Sequence, residues 1–135
     1  LRVTKESLYR GIAAAVDGAR VGDIGHAVQS YAESFGFGVV RELEGHGIGT
    51  KMHESPGIPN YGRQGHGPKL RNGMTICIEP MITAGSKNVY LDKNGWAVHT
   101  SDHRNAAHYE LTVVVRKGHA EQLSTFEYIE NSVKF

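Results

Sequence analysis

The sequence has a single cysteine, no long apolar run and no block of like charge. Cys77 is the only cysteine in 135 residues, which excludes an intramolecular disulfide and fits a reducing, cytoplasmic location. No apolar run approaches the roughly 20 residues that a membrane-spanning helix needs. The 15 basic and 14 acidic residues are spread along the chain, so charge gives no case for nucleic-acid binding. We therefore expect a soluble globular protein without nucleic-acid or membrane partners.

The beginning of the chain also lacks the features of a protein start. Residues 1–6 contain neither an initiator methionine nor a signal peptide, which suggests the interior of a longer protein. A length of 135 residues with 39% hydrophobic residues fits one domain with a real core.

Glycines and histidines are concentrated between Glu44 and Glu54. This stretch holds His46 and His53 among several glycines, and the missing side chains would let a ligand, metal or substrate approach His46. The alternative is a mobile surface loop that happens to carry two histidines.

Two amphipathic helices are predicted before this stretch. Thr4 is a plausible N-cap for a helix over residues 4–18, because apolar residues recur at helical spacing after it. Asp23 is placed to cap a second helix, and Gly36 offers a left-handed stop near residues 34–36.

Strands are predicted after the helices. The expected strands cover residues 37–43, 74–79 and 109–115, and Asn94-Gly95 predicts a hairpin between residues 89–92 and 96–100. Residues 55–69, with three prolines and four glycines, are expected to form a long loop. Residues 118–135 are expected to be polar and irregular, with one apolar patch at 126–129. Two helices followed by mostly antiparallel strands indicate an α+β fold.

A histidine and two glutamates lie at or in three strand-like segments. His46, Glu79 and Glu110 could meet in one cavity if these strands are neighbours. One imidazole and two carboxylates suit Mn(II), Fe(II), Co(II) or Zn(II) better than a thiolate-selective site. The alternative is two sheet carboxylates with satisfied charges and an unrelated loop histidine.

The motifs together resemble type I methionine aminopeptidases. The matching segments are Gly45-His46-Gly47-Ile48-Gly49, His53-Glu54, Lys69 to Thr75, Ile78-Glu79-Pro80-Met81, Gly95-Trp96 and Tyr109-Glu110, in this order. The resemblance runs over nearly the whole chain. It implies the pita-bread fold and a centre of two divalent metal ions that removes the initiator methionine from nascent proteins.

The resemblance also implies roles for individual residues. His46, Glu79 and Glu110 match metal ligands, and Glu79 is the candidate for proton transfer to the leaving amine. His53 matches a histidine that contacts the scissile amide and steadies the tetrahedral intermediate. Trp96 matches a residue near the methionine pocket. Met52 replaces an aromatic residue before the substrate histidine, and as an apolar, adaptable side chain it is expected to contact the methionine of the substrate.

Two ligand positions of the family have no counterpart here. The family also uses two aspartates and another histidine from an N-terminal half, and no aspartate of this sequence precedes the first helix on a strand. We therefore expect a single domain over residues 1–135, equivalent to the C-terminal half. Such a half would be inactive alone and would need the missing half or an oligomeric partner. Leu111 after Glu110 is a smaller departure, because a histidine is frequent there.

Two other functions remain open. A peptide-binding module could keep the cleft without the chemistry, and a proline-directed peptidase could share the pita-bread fold. Cys77, between two isoleucines, is expected to be a core thiol. His99, His103 and His108 are spaced so that their imidazoles could form a second metal site, but a solvated loop after the hairpin is the simpler interpretation. The same interpretation covers His26, His66 and His119.

Overall fold

The computed structural model describes residues 1–133, and two helices cover one side of its sheets. α1 spans Arg2–Ala14 and α2 spans Val21–Ser34. Apolar residues of both helices pack on the five-stranded sheet and form the main core. None of the helices in the described residues is long and apolar enough to cross a membrane.

The expected limits of α1 are wrong at both ends. Thr4 is not the N-cap: α1 begins at Arg2, and Thr4 is buried in the first turn. The helix ends at Ala14 rather than residue 18, because the backbone leaves helical geometry at Ala15 and Val16 then bridges to Arg116. Pairing with the sheet therefore ends α1 one turn early.

The expected end of α2 is confirmed, and its start differs slightly. α2 ends at Ser34, and Gly36 has the left-handed φ of 76°. The helix starts two residues before Asp23, whose Oδ2 accepts a 2.7 Å hydrogen bond from the Arg20 amide. Asp23 thus caps the helix from within its first turn.

Ten short strands form two sheets and a hairpin. The five-stranded sheet has the order β10-β9-β4-β2-β3, the three-stranded sheet has the order β1-β5-β8, and β6 pairs only with β7. All named strand pairs are antiparallel. Their bounds are β1 Gly38–Val39, β2 Gly45–Gly47, β3 Glu54–Ile58, β4 Thr75–Ile78, β5 Met81–Thr83, β6 Val89–Leu91, β7 Val98–Thr100, β8 Ala106–His108, β9 Leu111–Val115 and β10 Ala120–Gln122.

The strands expected over residues 74–79 and 109–115, and the hairpin, are confirmed as β4, β9 and the β6–β7 pair. The strand expected over 37–43 is reduced to β1, and residues 41–44 are exposed. The chain there leaves the three-stranded sheet and enters the five-stranded sheet at β2.

Two segments expected to be irregular contain regular elements. β3 begins at Glu54 and covers the first four residues of the loop expected over 55–69; its place at the sheet edge tolerates proline and glycine. β10 pairs with β9, and a third helix, α3, spans Glu127–Ser132. Phe126, just before α3, packs edge-on against Tyr109 at 5.2 Å between ring centroids. The last two residues of the expected irregular segment, 134 and 135, lie outside the described part.

Candidate metal centre

His46 occupies the middle of β2, between two strands of the five-stranded sheet. It lies opposite Gly57 of β3 and Cys77 of β4. Its Nδ1 lies 2.9 Å from the Gly47 carbonyl oxygen. Because a carbonyl can only accept, the neutral ring donates from Nδ1 and keeps its lone pair on Nε2.

The Nε2 lone pair of His46 faces a carboxylate. Nε2 lies 3.5 Å from Oε1 of Glu79, and both side chains are largely buried. Two acceptors cannot hydrogen-bond to each other, so this arrangement calls for a proton or a cation between them. A metal ion would satisfy both atoms.

Glu79 and Glu110 lie in two adjacent segments that connect the five-stranded sheet to the three-stranded sheet. One segment, residues 79–80, joins β4 to β5, and the other, residues 109–110, joins β8 to β9. Ile78 pairs with Leu111 on one side of the crossing, and Met81 pairs with His108 on the other. The register is the same on both sides, so Glu79 lies opposite Glu110. Side chains two residues apart share a face in an extended chain, so Glu79 lies on the face of Cys77 and Glu110 lies on the face of His108. These four side chains lie on one face of the paired segments, which we call the metal-site face.

Two groups of three donors result, and both include Glu110. In each group the donor atoms lie within 4.8 Å of one another: His46, Cys77 and Glu110 in one, and Glu79, His108 and Glu110 in the other. Metal–donor bonds of about 2.0–2.3 Å place two ligands of one ion up to about 4.5 Å apart. The donor set therefore fits a divalent ion after small side-chain adjustments.

Cys77 is buried, as expected, but it does not face the apolar core. Its neighbours Ile76 and Ile78 belong to the core, whereas the Cys77 Sγ lies 3.4 Å from the Thr112 Oγ1 on the metal-site face. Burial raises the pKa of the Cys77 thiol.

His108 is exposed, as expected, but it lies in a strand and not in the expected loop. It ends β8 with its Nε2 3.3 Å from Oε2 of Glu79. The signal in the sequence was its position two residues before Glu110, which places both side chains on one face of an extended segment.

Asn60 is a second neighbour of the site that the sequence did not indicate. Its side chain is fully buried, and its Nδ2 donates a 3.2 Å hydrogen bond to the backbone carbonyl of Glu79. Its Oδ1 is buried without a partner in the described residues. Asn60 therefore fixes the backbone at the end of β4, where the Glu79 side chain begins.

His53 lies beside His46, whereas Met52 and Trp96 differ in their surroundings. The His53 ring centroid is 4.3 Å from that of His46. Trp96 is 83% exposed and lines a mostly apolar cavity of about 320 Å³, together with His108 and Met81. Met52 is 69% exposed and does not line this cavity.

The remaining histidines are exposed and lie outside both donor groups among the described residues. His99 stacks on Tyr90 with 5.5 Å between ring centroids, and His103 meets the edge of the same ring at 6.3 Å. The others are His26, His66 and His119.

The fold and the donor set agree with a family of metal-dependent peptidases. The sequence profile of metallopeptidase family M24 matches residues 1–117, so the chain belongs to this family. Members of the family use divalent metal, which agrees with the donors described above.

Within this family, the chain is similar to methionine aminopeptidases. It is 51% identical over 127 residues to the methionine aminopeptidase of Clostridium acetobutylicum, covering 94% of this chain and 51% of that protein. The crystal structure of methionine aminopeptidase from Rickettsia prowazekii matches with a TM-score of 0.88 and 45% identity, covering 90% of this chain and 49% of that one. These matches confirm the resemblance inferred from the motifs and the α+β pita-bread fold.

More distant structures share the fold alone. An X-Pro aminopeptidase from Thermotoga maritima matches with a TM-score of 0.64 at 23% identity. The chain spans about half the length of the curated relatives it matches.

Proposed function

We propose that this chain carries part of the catalytic centre of a metal-dependent methionine aminopeptidase, which removes the initiator methionine from nascent proteins. The observation that carries the proposal is the convergence of His46 from β2, Glu79 from the end of β4 and Glu110 from the start of β9. The similarity to methionine aminopeptidases over 94% of the chain supports it.

These three residues would hold the metal. His46 would bind through Nε2, and the carboxylates of Glu79 and Glu110 would complete the set; Glu110 belongs to both donor groups of the described residues. When bound, the metal would polarise the substrate carbonyl and activate a water molecule. Nitrogen and oxygen donors suit Co(II), Mn(II), Fe(II) or Zn(II).

Two residues of this chain would handle protons and the substrate. Glu79 is largely buried, and it would take a proton from the attacking water and pass it to the leaving amine. His53, beside His46, would donate a hydrogen bond to the scissile amide oxygen as charge develops there. Both roles need side chains near the donor groups; Glu79 belongs to one of these groups, and His53 lies beside His46 of the other.

The apolar cavity would take the methionine side chain. Its lining joins the metal site through His108 and Met81, and Trp96 forms part of its exposed wall. A cavity of about 320 Å³ with apolar walls suits an unbranched thioether. Met52 would contact the substrate only if the exposed loop that holds it closes over the cleft.

We also propose that residues 1–135 form a single domain equivalent to the C-terminal half of the relatives. Four aspartates are present, and none belongs to a donor group among the described residues. Full activity would then need further ligands from an N-terminal half or from an oligomeric partner.

The test measures metal binding and peptide cleavage with the purified protein. We expect Co(II) or Mn(II) binding by calorimetry to be abolished by His46→Ala and kept by His66→Ala, a control in an exposed loop. Peptides beginning with Met-Ala-Ser are expected to bind only without chelator. Fast cleavage by this chain alone would contradict the need for further ligands.

Other outcomes would identify a different function. Peptide binding that ignores both chelator and His46→Ala would favour a binding module without chemistry. Cleavage of X-Pro peptides in preference to Met-Ala peptides would favour a proline-directed peptidase.

A further inference from the structure

His108 approaches the proposed metal site from the three-stranded sheet, whereas His46 belongs to the five-stranded sheet. It is the last residue of β8, whereas His46 lies in β2 of the five-stranded sheet. Glu79 lies between them, with Oε1 3.5 Å from the His46 Nε2 and Oε2 3.3 Å from the His108 Nε2. Each oxygen of this carboxylate thus faces a different imidazole.

The backbone holds His108 in this position. β8 pairs with β5, and His108 lies opposite Met81, two residues beyond Glu79. The Tyr109 amide donates to the Pro80 carbonyl at 3.4 Å, which ties the two crossing segments together. The donor atoms of Glu79, His108 and Glu110 therefore lie within 4.8 Å of one another.

We propose that His108 is a metal ligand that binds one ion together with Glu79 and Glu110. The inference rests on the proposed metal centre and adds a donor to its three predicted ligands. The side chain of His108 is 47% exposed, so its imidazole is accessible to an entering ion. A nitrogen donor on this side favours Zn(II) or Co(II) over Mn(II), which prefers oxygen ligands.

The alternative is that His108 only hydrogen-bonds to Glu79 and orients it. The variant His108→Gln separates the two roles, because glutamine can still donate to the carboxylate but lacks the imidazole nitrogen. His99→Gln is the matched control, since His99 is an exposed histidine near Tyr90 and belongs to neither donor group among the described residues.

The test is proton NMR of the purified protein loaded with Co(II), together with calorimetry. Imidazoles bound to Co(II) give strongly shifted exchangeable N–H signals. We expect two such signals in the unaltered protein and in His99→Gln, and one in His108→Gln. We also expect His108→Gln to weaken Zn(II) binding by about 10-fold or more and Mn(II) binding much less.

Each other outcome overturns the proposal. Two shifted signals in His108→Gln, or a single one in the unaltered protein, would show that His108 is not a ligand. If His46→Ala abolishes Co(II) binding while His108→Gln does not change it, the proposed metal centre stands and this inference fails. If the protein binds none of Co(II), Zn(II) and Mn(II), the proposed metal centre and the proposed role of His108 fail together.

Discussion

Glu110 is the residue on which the donor geometry depends most. It precedes β9, and it belongs to both donor groups of the described residues. Its partners in those groups come from β2, β4, β8 and the crossing segment after β4. A single carboxylate therefore connects donors from both sheets.

The substitution Glu110→Gln is expected to remove most metal binding. The amide keeps the size of the side chain but loses the charge that would hold two cations. We expect affinity for Co(II), measured by calorimetry, to fall by about 100-fold, while the free energy of unfolding without metal changes by less than about 1 kcal/mol.

The control is Glu121→Gln on β10. Glu121 forms an exposed ion pair with Arg116 at 2.8 Å and belongs to neither donor group of the described residues. Its loss is therefore expected to leave metal affinity unchanged. Equal effects of both variants would mean that general charge, not ligation, controls metal binding.

The carboxylate of Glu54 accepts hydrogen bonds within the loop that contains His53. Hydrogen bonds from the Lys51 amide and the Thr50 hydroxyl, both 2.8 Å long, hold the pKa of Glu54 below its ordinary value. Since the folded pKa is the lower one, these contacts stabilise the loop at neutral pH. That contribution is lost as the pH falls through the folded pKa.

We expect the amide signal of Lys51, followed by NMR, to titrate at a pH below the usual range of a glutamate. Thr50→Val removes one hydrogen bond, so the titration should move to higher pH. Glu54→Gln should abolish it. A Lys51 titration that Thr50→Val does not move would show that the hydroxyl contributes nothing in solution.

At the scale of elements, the close contact between β2 and β4 sets the position of His46. A Cβ at Gly45 would collide with the backbone carbonyl of Cys77. Gly45 therefore permits β2 to lie at this distance from β4, and His46 follows it directly. The glycines of this stretch serve strand packing at least as much as ligand access.

Gly45→Ala is expected to destabilise the protein by about 3 kcal/mol, because backbone atoms cannot move aside as a side chain can. Gly57→Ala in β3 is the control, since the three atoms nearest to its Cβ would all belong to the carboxylate of Glu44, an exposed and movable side chain. We expect a change below about 1 kcal/mol there. Chemical denaturation of both variants measures the difference, and equal losses would contradict the role given to the β2–β4 contact.

At the scale of the whole molecule, apolar side chains of the β6–β7 hairpin remain exposed. Trp96 is 83% exposed and Leu91 is 59% exposed, and Tyr90 and Val98 are also exposed. Among the described residues, β6 and β7 pair only with each other. A hairpin of this kind favours association with another surface.

We therefore expect the purified chain to self-associate as its concentration rises, as measured by light scattering. Leu91→Lys should shift the association to higher concentration. Leu123→Lys, at a similarly exposed leucine after β10, should not. A monomer at every concentration would contradict this expectation.

Local patterns predicted the elements that depend on local chemistry. The period of the apolar residues indicated both helices and the strands β4 and β9, and Asn94-Gly95 indicated the hairpin. Features that depend on distant partners were not predicted. The end of α1 was placed too late, because the bridge from Val16 to Arg116 ends the helix early, and β3 was missed, because it forms by pairing with β2. No local signal reports a partner strand.

The sequence by itself determined the family, the α+β fold and the three residues proposed as metal ligands, because ordered motifs along the chain carry that information. Only the tertiary structure placed His108 against Glu79 and brought the Cys77 thiol into a donor group with His46 and Glu110. Both placements depend on the shared register of two segments that cross between sheets. That register is set by pairing between residues far apart in the chain, which period and composition do not encode.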